Sequence, residues 1–265
     1  MRAVLGIDAA WAAHNPSGVA LVVEERERWR CLRVAHSFAA FVHSATKRDA
    51  SFADVLQSAR ALLDDGAPDV IAVDMPMSHN TITRRRASDR AVSKLLTRYG
   101  CPAMPPQPAS EKLSREYQAQ AARVGASLRI SYDAARTSGS LIEVYPHAVW
   151  ISLLGACYRV PYKVRKEYPH LSNLDAGEKK QRRMRMLQVV RDAIAQRIQD
   201  VPVIDASRPL KQTEDELDAL ACAWTGILYL NGQAKAYGDA ESAIWVPADA
   251  ESRSADRHYW SARLP

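Results

Sequence analysis

The chain has 265 residues, 47% of them hydrophobic, which is enough for a substantial core in one large domain or in one domain with an insertion. No apolar run approaches the ~20 residues that a bilayer-spanning helix needs, which argues against a helical membrane protein. A formal net charge of +6 and a sequence pI of about 9.2 permit a polyanionic partner such as nucleic acid without requiring one.

Cys31, Cys101, Cys157 and Cys222 are scattered and form no CxxC pair, so neither a zinc knuckle nor a disulfide framework is expected. The N-terminus runs directly into a strand with no signal-peptide pattern, and a reduced cytoplasmic setting is the expectation. That strand, Ala3 to Asp8, is apolar, ends in one carboxylate and breaks into the turn Ala9-Ala10-Trp11. Asp8 either ligates a cation in a cleft or caps the turn. Gly18–Val23 and Trp29–Ala35 read as the next two strands, with Glu24–Arg28 as the loop between them. Three strands with short connections predict an antiparallel meander.

Phe52, Val55, Leu56, Ala59, Leu62 and Leu63 follow helical spacing after Ser51, which predicts a helix capped by that serine and stopped near Gly66. Val70 to Pro76 repeats the first theme: a buried apolar strand ending in a single aspartate, Asp74. In the order β-β-β-α-β the helix is a crossover, and the new strand lies parallel beside the first. Asp8 and Asp74 then sit at neighbouring C-terminal strand ends, where ligand sites form.

Residues 77–139 read as a less regular, basic, Pro-rich insertion over that cleft. Arg84, Arg85, Arg86, Arg90, Lys94 and Arg98 make one basic stretch, and the last three recur every four residues along one helix face. Cys101 to Pro108 holds too many prolines for a helix interior or a central strand. The insertion is either a phosphate-binding lid or a solvated basic helix with a rigid loop. Leu141–His147 reads as a fifth strand with Glu143 inside it, followed by a helix at about 147–155 and a loop over 158–176. Glu178 to Ile198 reads as a long basic helix with a core stripe of Leu187, Val190, Ile194 and Ile198.

The last informative stretch runs from Glu214 to Trp224, with Leu217, Leu220, Ala221 and Trp224 as its core face. Asp215 and Asp218, three apart, share one side of its first turn, where the helix dipole alone would accommodate them. Ala219, Ala221 and Ala223 favour a more specific role, because they let the helix lie close on the sheet and carry both carboxylates to the strand ends. Ala243–Pro247 is a short apolar segment. Residues 1–247 thus read as a single domain, and 248–265 as a polar tail. Hard oxygen ligands in such a cluster suit Mg²⁺ or Mn²⁺, and a two-metal site with ions ~3.5–4 Å apart hydrolyses phosphodiesters through an activated water.

Five segments carry a family resemblance: Gly6–Trp11, Val73–Pro76, Arg85–Asp89, Ile142–His147 and Asp215–Leu220. In this order, over residues 1 to about 247, they resemble the domain-of-unknown-function 429 family of predicted nucleases. That family is regarded as RNase H-like and similar in layout to RuvC-type resolvases. The resemblance implies an α/β fold: an RNase H-like mixed sheet, with a three-strand antiparallel meander plus parallel strands, flanked by helices. It implies metal roles for Asp8, Asp74, Asp215 and Asp218, with Asp8 bridging two ions. Glu143 departs from the RuvC pattern but fits the family; it is an extra catalytic ligand, a base that positions water, or the buried partner of an arginine such as Arg86. Arg86, paired with Asp89, either binds substrate phosphate beside Arg90 and Lys94 or locks the insertion. His147 either acts at the leaving group or is structural, and His14 and Asn15 follow the first strand near the cleft.

The leading expectation is therefore a Mg²⁺- or Mn²⁺-dependent nuclease acting on DNA or RNA. RuvC-type enzymes are dimers, so the resemblance also raises a homodimer. Two alternatives stay open: a non-catalytic module that binds nucleic acid or protein, and an actin-like or sugar-kinase-type ATPase. The last needs glycine-rich phosphate loops, and this chain has 11 glycines and no Gly-rich hairpin after its first strand.

Overall fold

The computed structural model describes residues 1–10, 15–43, 50–78, 81–123 and 139–250. The expected meander forms: β1 (Ala3–Asp8), β2 (Gly18–Glu25) and β3 (Arg28–Ala35) pair antiparallel in sequence order. The hairpin between β2 and β3 is tighter than the five-residue loop expected. Arg26 and Glu27 close it with left-handed φ of 50° and 64°, the turn that matches the twist of paired strands.

After a short α1 (Phe38–Phe41) comes α2 (Phe52–Leu62), where Ser51 and Asp54 form a reciprocal cap. The helix ends at Leu63, and Asp64 and Asp65 take the left-handed conformations there, at φ 50° and 65°, in place of Gly66. β4 (Val70–Val73) then runs parallel beside β1, as the crossover argument requires.

The segment 77–139 is more regular than its sequence suggested. It carries α3 (Ala87–Leu96), which packs against the far edge of the sheet, and α4 (Pro108–Arg123), which packs on α2. Val92, Leu96 and Tyr99 are buried there, so this stretch has a core face of its own. Residues 79–80 and 124–138 of the expected insertion, and 251–265 of the expected tail, lie outside the described residues.

The chain continues with β5 (Leu141–Val144), α5 (Pro146–Leu154), α6 (Ala176–Ala195), β6 (Ile198–Gln199), α7 (Leu210–Leu230), β7 (Ala234–Gly238) and β8 (Ala243–Pro247). The mixed sheet has the order β6-β3-β2-β1-β4-β5-β8-β7, with β1, β4, β5 and β8 mutually parallel. Helices α1, α2 and α4 cover one face, where Leu5, Ile7, Leu21 and Val73 meet Phe52, Val55 and Tyr117. Helices α5, α6 and α7 cover the other, where Val4, Ala20 and Val22 meet Trp150, Leu187, Val190 and Leu220. Ile198, expected at the end of the long helix, instead pairs with Trp29 across β6 and β3.

Helix α7 lies unusually close to the sheet. A Cβ on Gly6 would stand 2.2 Å from the Ala219 carbonyl oxygen and 2.4 Å from the Ala223 nitrogen. Only glycine on the strand and alanine on the helix permit that approach. No described helix is long and apolar enough to cross a membrane.

Candidate carboxylate site

The pairing of Ile7 with Val73, extended by a 2.9 Å bond from the Asp74 N–H to the Ile7 carbonyl, brings Asp8 and Asp74 off adjacent strands side by side. Pleat alternation points both toward α7, on the same face as Val4, Gly6, Val70 and Ala72. The close packing of α7 then delivers Asp215 and Asp218, which are 3% and 0% exposed. This helix begins at Leu210, earlier than the sequence indicated, so both acids lie beyond its first turn. The dipole of the helix end therefore does not account for them.

These carboxyls disturb one another. Burial, followed by the charge of Asp218, pushes the Asp8 carboxyl well above the usual range, with Asp74 and Asp215 adding to the effect. Asp74 is pushed up to about 7 by burial and by Asp218, against the pull of Lys163. Burial pushes Asp215 up to about 6, despite the bond it accepts from Lys211.

Among the described residues, one of two cations in this cluster is Lys163, in the loop between α5 and α6. Its Nζ donates to Asp218 Oδ2 at 2.5 Å and stands 3.3 Å from Glu214 Oε1. Burial works against the Lys163 charge, but Asp218, Tyr162, Asp8 and Glu214 outweigh it and hold the ammonium protonated. Asp218 Oδ1 accepts from the Tyr162 hydroxyl at 2.7 Å and from Trp150 Nε1 at 3.1 Å. Lys211 bonds both Glu214 and Asp215. Sequence reasoning missed Lys163, Tyr162, Trp150, Glu214 and Lys211. Glu214 and Lys211 carried a signal: Glu214 lies four residues before Asp218, and Lys211 three before Glu214 and four before Asp215, so they share a helix face.

Glu143 turns its carboxylate away from the aspartates, although its charge still helps to raise Asp74. It pairs with Val73, so alternation turns it to the face covered by α2, away from Asp74. Both its oxygens accept from Arg86, at 2.6 Å from Nη2 and 2.6 Å from Nη1, and Oε2 also accepts the Met77 N–H at 2.8 Å. The same guanidinium donates to Asp89 at 2.6 and 3.1 Å and to the Met77 carbonyl at 2.8 Å. Burial opposes the Arg86 charge, but Glu143 and Asp89 together hold its pKa above the ordinary arginine value. Glu143 is thus a buried partner of Arg86, and Arg86 with Asp89 ties the start of α3 to β5.

Arg90 and Lys94 are exposed on α3, and Arg90 donates to the Arg85 carbonyl at 2.7 Å. α3 sits against β7 and β8, so neither side chain belongs to the aspartate cluster. Tyr117 of α4 stacks on Phe52 at 4.5 Å, bonds Ser17 and lies within electrostatic reach of Asp8. His147 is 5% exposed and stacks on Tyr145 at 5.6 Å. Burial, then Arg159, Lys163 and Lys166, hold its pKa well below the usual value, so it is neutral at pH 7. His14 lies outside the described residues, and Asn15 is exposed.

Among the described residues no three His, Cys, Asp or Glu side chains are already set to hold a metal ion. The donors gathered here are all carboxylate oxygens, which suits a hard divalent cation, and Lys163 and Lys211 supply the positive charge in their midst. A comparison with curated proteins finds no match. A family model described as Protein of unknown function (DUF429) matches residues 6–242, and the chain belongs to that family.

Proposed function

We propose that this DUF429 chain hydrolyses phosphodiester bonds in nucleic acid, using Mg²⁺ or Mn²⁺ held by Asp8, Asp74 and Asp218 with Asp215 beside them. One observation carries the reading: half-buried aspartates at the ends of β1 and β4 face buried aspartates of α7, and desolvation first, then the Asp218 charge, raises the proton affinity of Asp8 and Asp74. A purely structural core has no use for such repulsion, whereas a divalent cation relieves it. A meander continued by parallel strands is also the arrangement an RNase H-like reading expects. The positive net charge favours a polyanionic substrate.

A bound divalent cation would supply Lewis-acid polarisation of a phosphate oxygen and a lowered pKa for water. The chain's own residues do the rest. Tyr162 and Trp150 fix the orientation of the Asp218 carboxylate through Oδ1. The contact of Gly6 with α7 sets the spacing between Asp218 and Asp8. Burial, then the charges of Asp74, Asp8 and Asp218, hold the Cys222 thiol well above its ordinary pKa.

The test is cleavage of single-stranded, duplex and branched DNA and RNA with Mn²⁺ or Mg²⁺. Cleavage should stop with chelator and in Asp8→Asn and Asp218→Asn; undiminished cleavage in both variants contradicts the proposal. A second reading, a non-catalytic binding module, is favoured by the ion pair that Lys163 already makes with Asp218. It expects nucleic-acid binding that is indifferent to divalent metal.

A further inference from the structure

Resting on the metal-site reading above, we propose that Lys163 is an internal competitor for the divalent cation: its ammonium holds Asp218 in the metal-free protein and must leave it for the metal to bind. The two oxygens of Asp218 are held differently. Oδ1 is fixed by Tyr162 and Trp150, both fully buried aromatic side chains with little room to move. Among the described residues Oδ2 accepts from Lys163, so it is the atom that an incoming cation would have to win.

Lys163 is built to let go. Its side chain is 24% exposed while that of Asp218 is 0% exposed, so the ammonium has a route to solvent that the carboxylate lacks. The backbone around it is anchored separately. The Val164 N–H donates to Glu214 Oε2 at 2.6 Å, and the Lys163 N–H donates to the Tyr168 hydroxyl at 3.3 Å. The four-carbon stem can therefore swing while the loop stays in place. An ammonium and a divalent cation on one carboxylate repel strongly in a partly buried site, so the two contacts exclude one another. The linkage is reciprocal: whatever weakens the lysine contact strengthens metal binding.

Calorimetric titration with Mn²⁺ at fixed pH and ionic strength tests this on the wild type, Lys163→Gln, Lys163→Arg and Asp8→Asn. Lys163→Gln keeps a hydrogen-bonding side chain without the charge and should bind about tenfold more tightly, within the usual range of coupling between linked sites. Lys163→Arg keeps the charge and should gain no affinity. If the wild type binds, Asp8→Asn does not, and Lys163→Gln binds no more tightly than wild type, the competitor role is overturned and the metal site stands. If neither the wild type nor Lys163→Gln binds Mn²⁺, both fall. Because Lys163→Gln removes a buried partner, a measurement on the wild type accompanies it: acylation of Lys163 by an amine-reactive ester, read by mass spectrometry. Labelling of Lys163 should rise as Mn²⁺ saturates the protein, and labelling that stays constant through saturation overturns the proposal.

Discussion

Glu143 and Asp218 are buried alike, at 5% and 0% exposed, yet their surroundings are opposite in kind. On the α2 side of the sheet one guanidinium serves Glu143 and Asp89 together, with the Met77 backbone completing the set. On the α7 side Asp8, Asp74, Asp215, Asp218 and Glu214 share Lys163 and Lys211, and burial, then the charge of Asp218, pushes up both Asp8 and Asp74. Burial alone does not mark a functional acid. Burial pushes Glu143 up as well, to about 6, so a raised carboxyl does not separate the two clusters either. What separates them is how the acids are held: Glu143 and Asp89 are bonded side by side to one fixed guanidinium, whereas five carboxyls share two flexible ammonium groups on the α7 side.

The contrast breaks most visibly at Arg86. Arg86→Met leaves Glu143 and Asp89 buried without their partner and should cost about 3–5 kcal/mol in urea unfolding. A loss under about 1 kcal/mol would show that the lock is not structural. Asp8→Asn should do the reverse. Metal-dependent cleavage should fall by more than the about 10–100-fold that losing a supporting partner costs, while stability in chelator holds or rises, because one repelling charge is gone. Gly6→Ala sets a methyl group against the α7 backbone and should cost about 1–3 kcal/mol of stability. It should also weaken Mn²⁺ binding by moving Asp218 relative to Asp8, and an unchanged affinity would separate the helix spacing from the site.

The smallest effect is in pH. Between the ordinary carboxyl value of 3.8 and the folded value of about 7, Asp74 keeps a proton that the unfolded chain has released. The metal-free protein therefore loses stability as pH rises through that window, by up to about 2 kcal/mol between pH 5 and 7, less where solvent screens the half-buried carboxyl. Asp74→Asn should flatten the profile, and a wild-type Tm that climbs over the same range would contradict the assignment.

The meander, the crossover to β4 and the neighbouring aspartates at Asp8 and Asp74 were legible because each rests on local periodicity and on one topological rule. The close approach of α7 was legible from Ala219, Ala221 and Ala223, although its partner Gly6 became evident only in the packed structure. Lys163 was not legible: it reaches Asp218 across 55 residues from a proline-bounded loop with no periodicity. The side of the sheet that Glu143 faces depends on its register against Val73, a tertiary fact that leaves the choice between ligand and lock open in sequence. The four-residue spacing of Arg90, Lys94 and Arg98 already pointed to a helix where α3 lies, whereas α4 was obscured by the prolines before it, which punctuate the chain but do not prevent a helix after them.

The most direct measurement is anomalous diffraction at the manganese edge from crystals grown with Mn²⁺. The account predicts a peak within coordination distance of Asp8, Asp74 and Asp218, with Lys163 displaced from Asp218 Oδ2. No peak there at saturating Mn²⁺, with Lys163 still bound to Asp218, would contradict it.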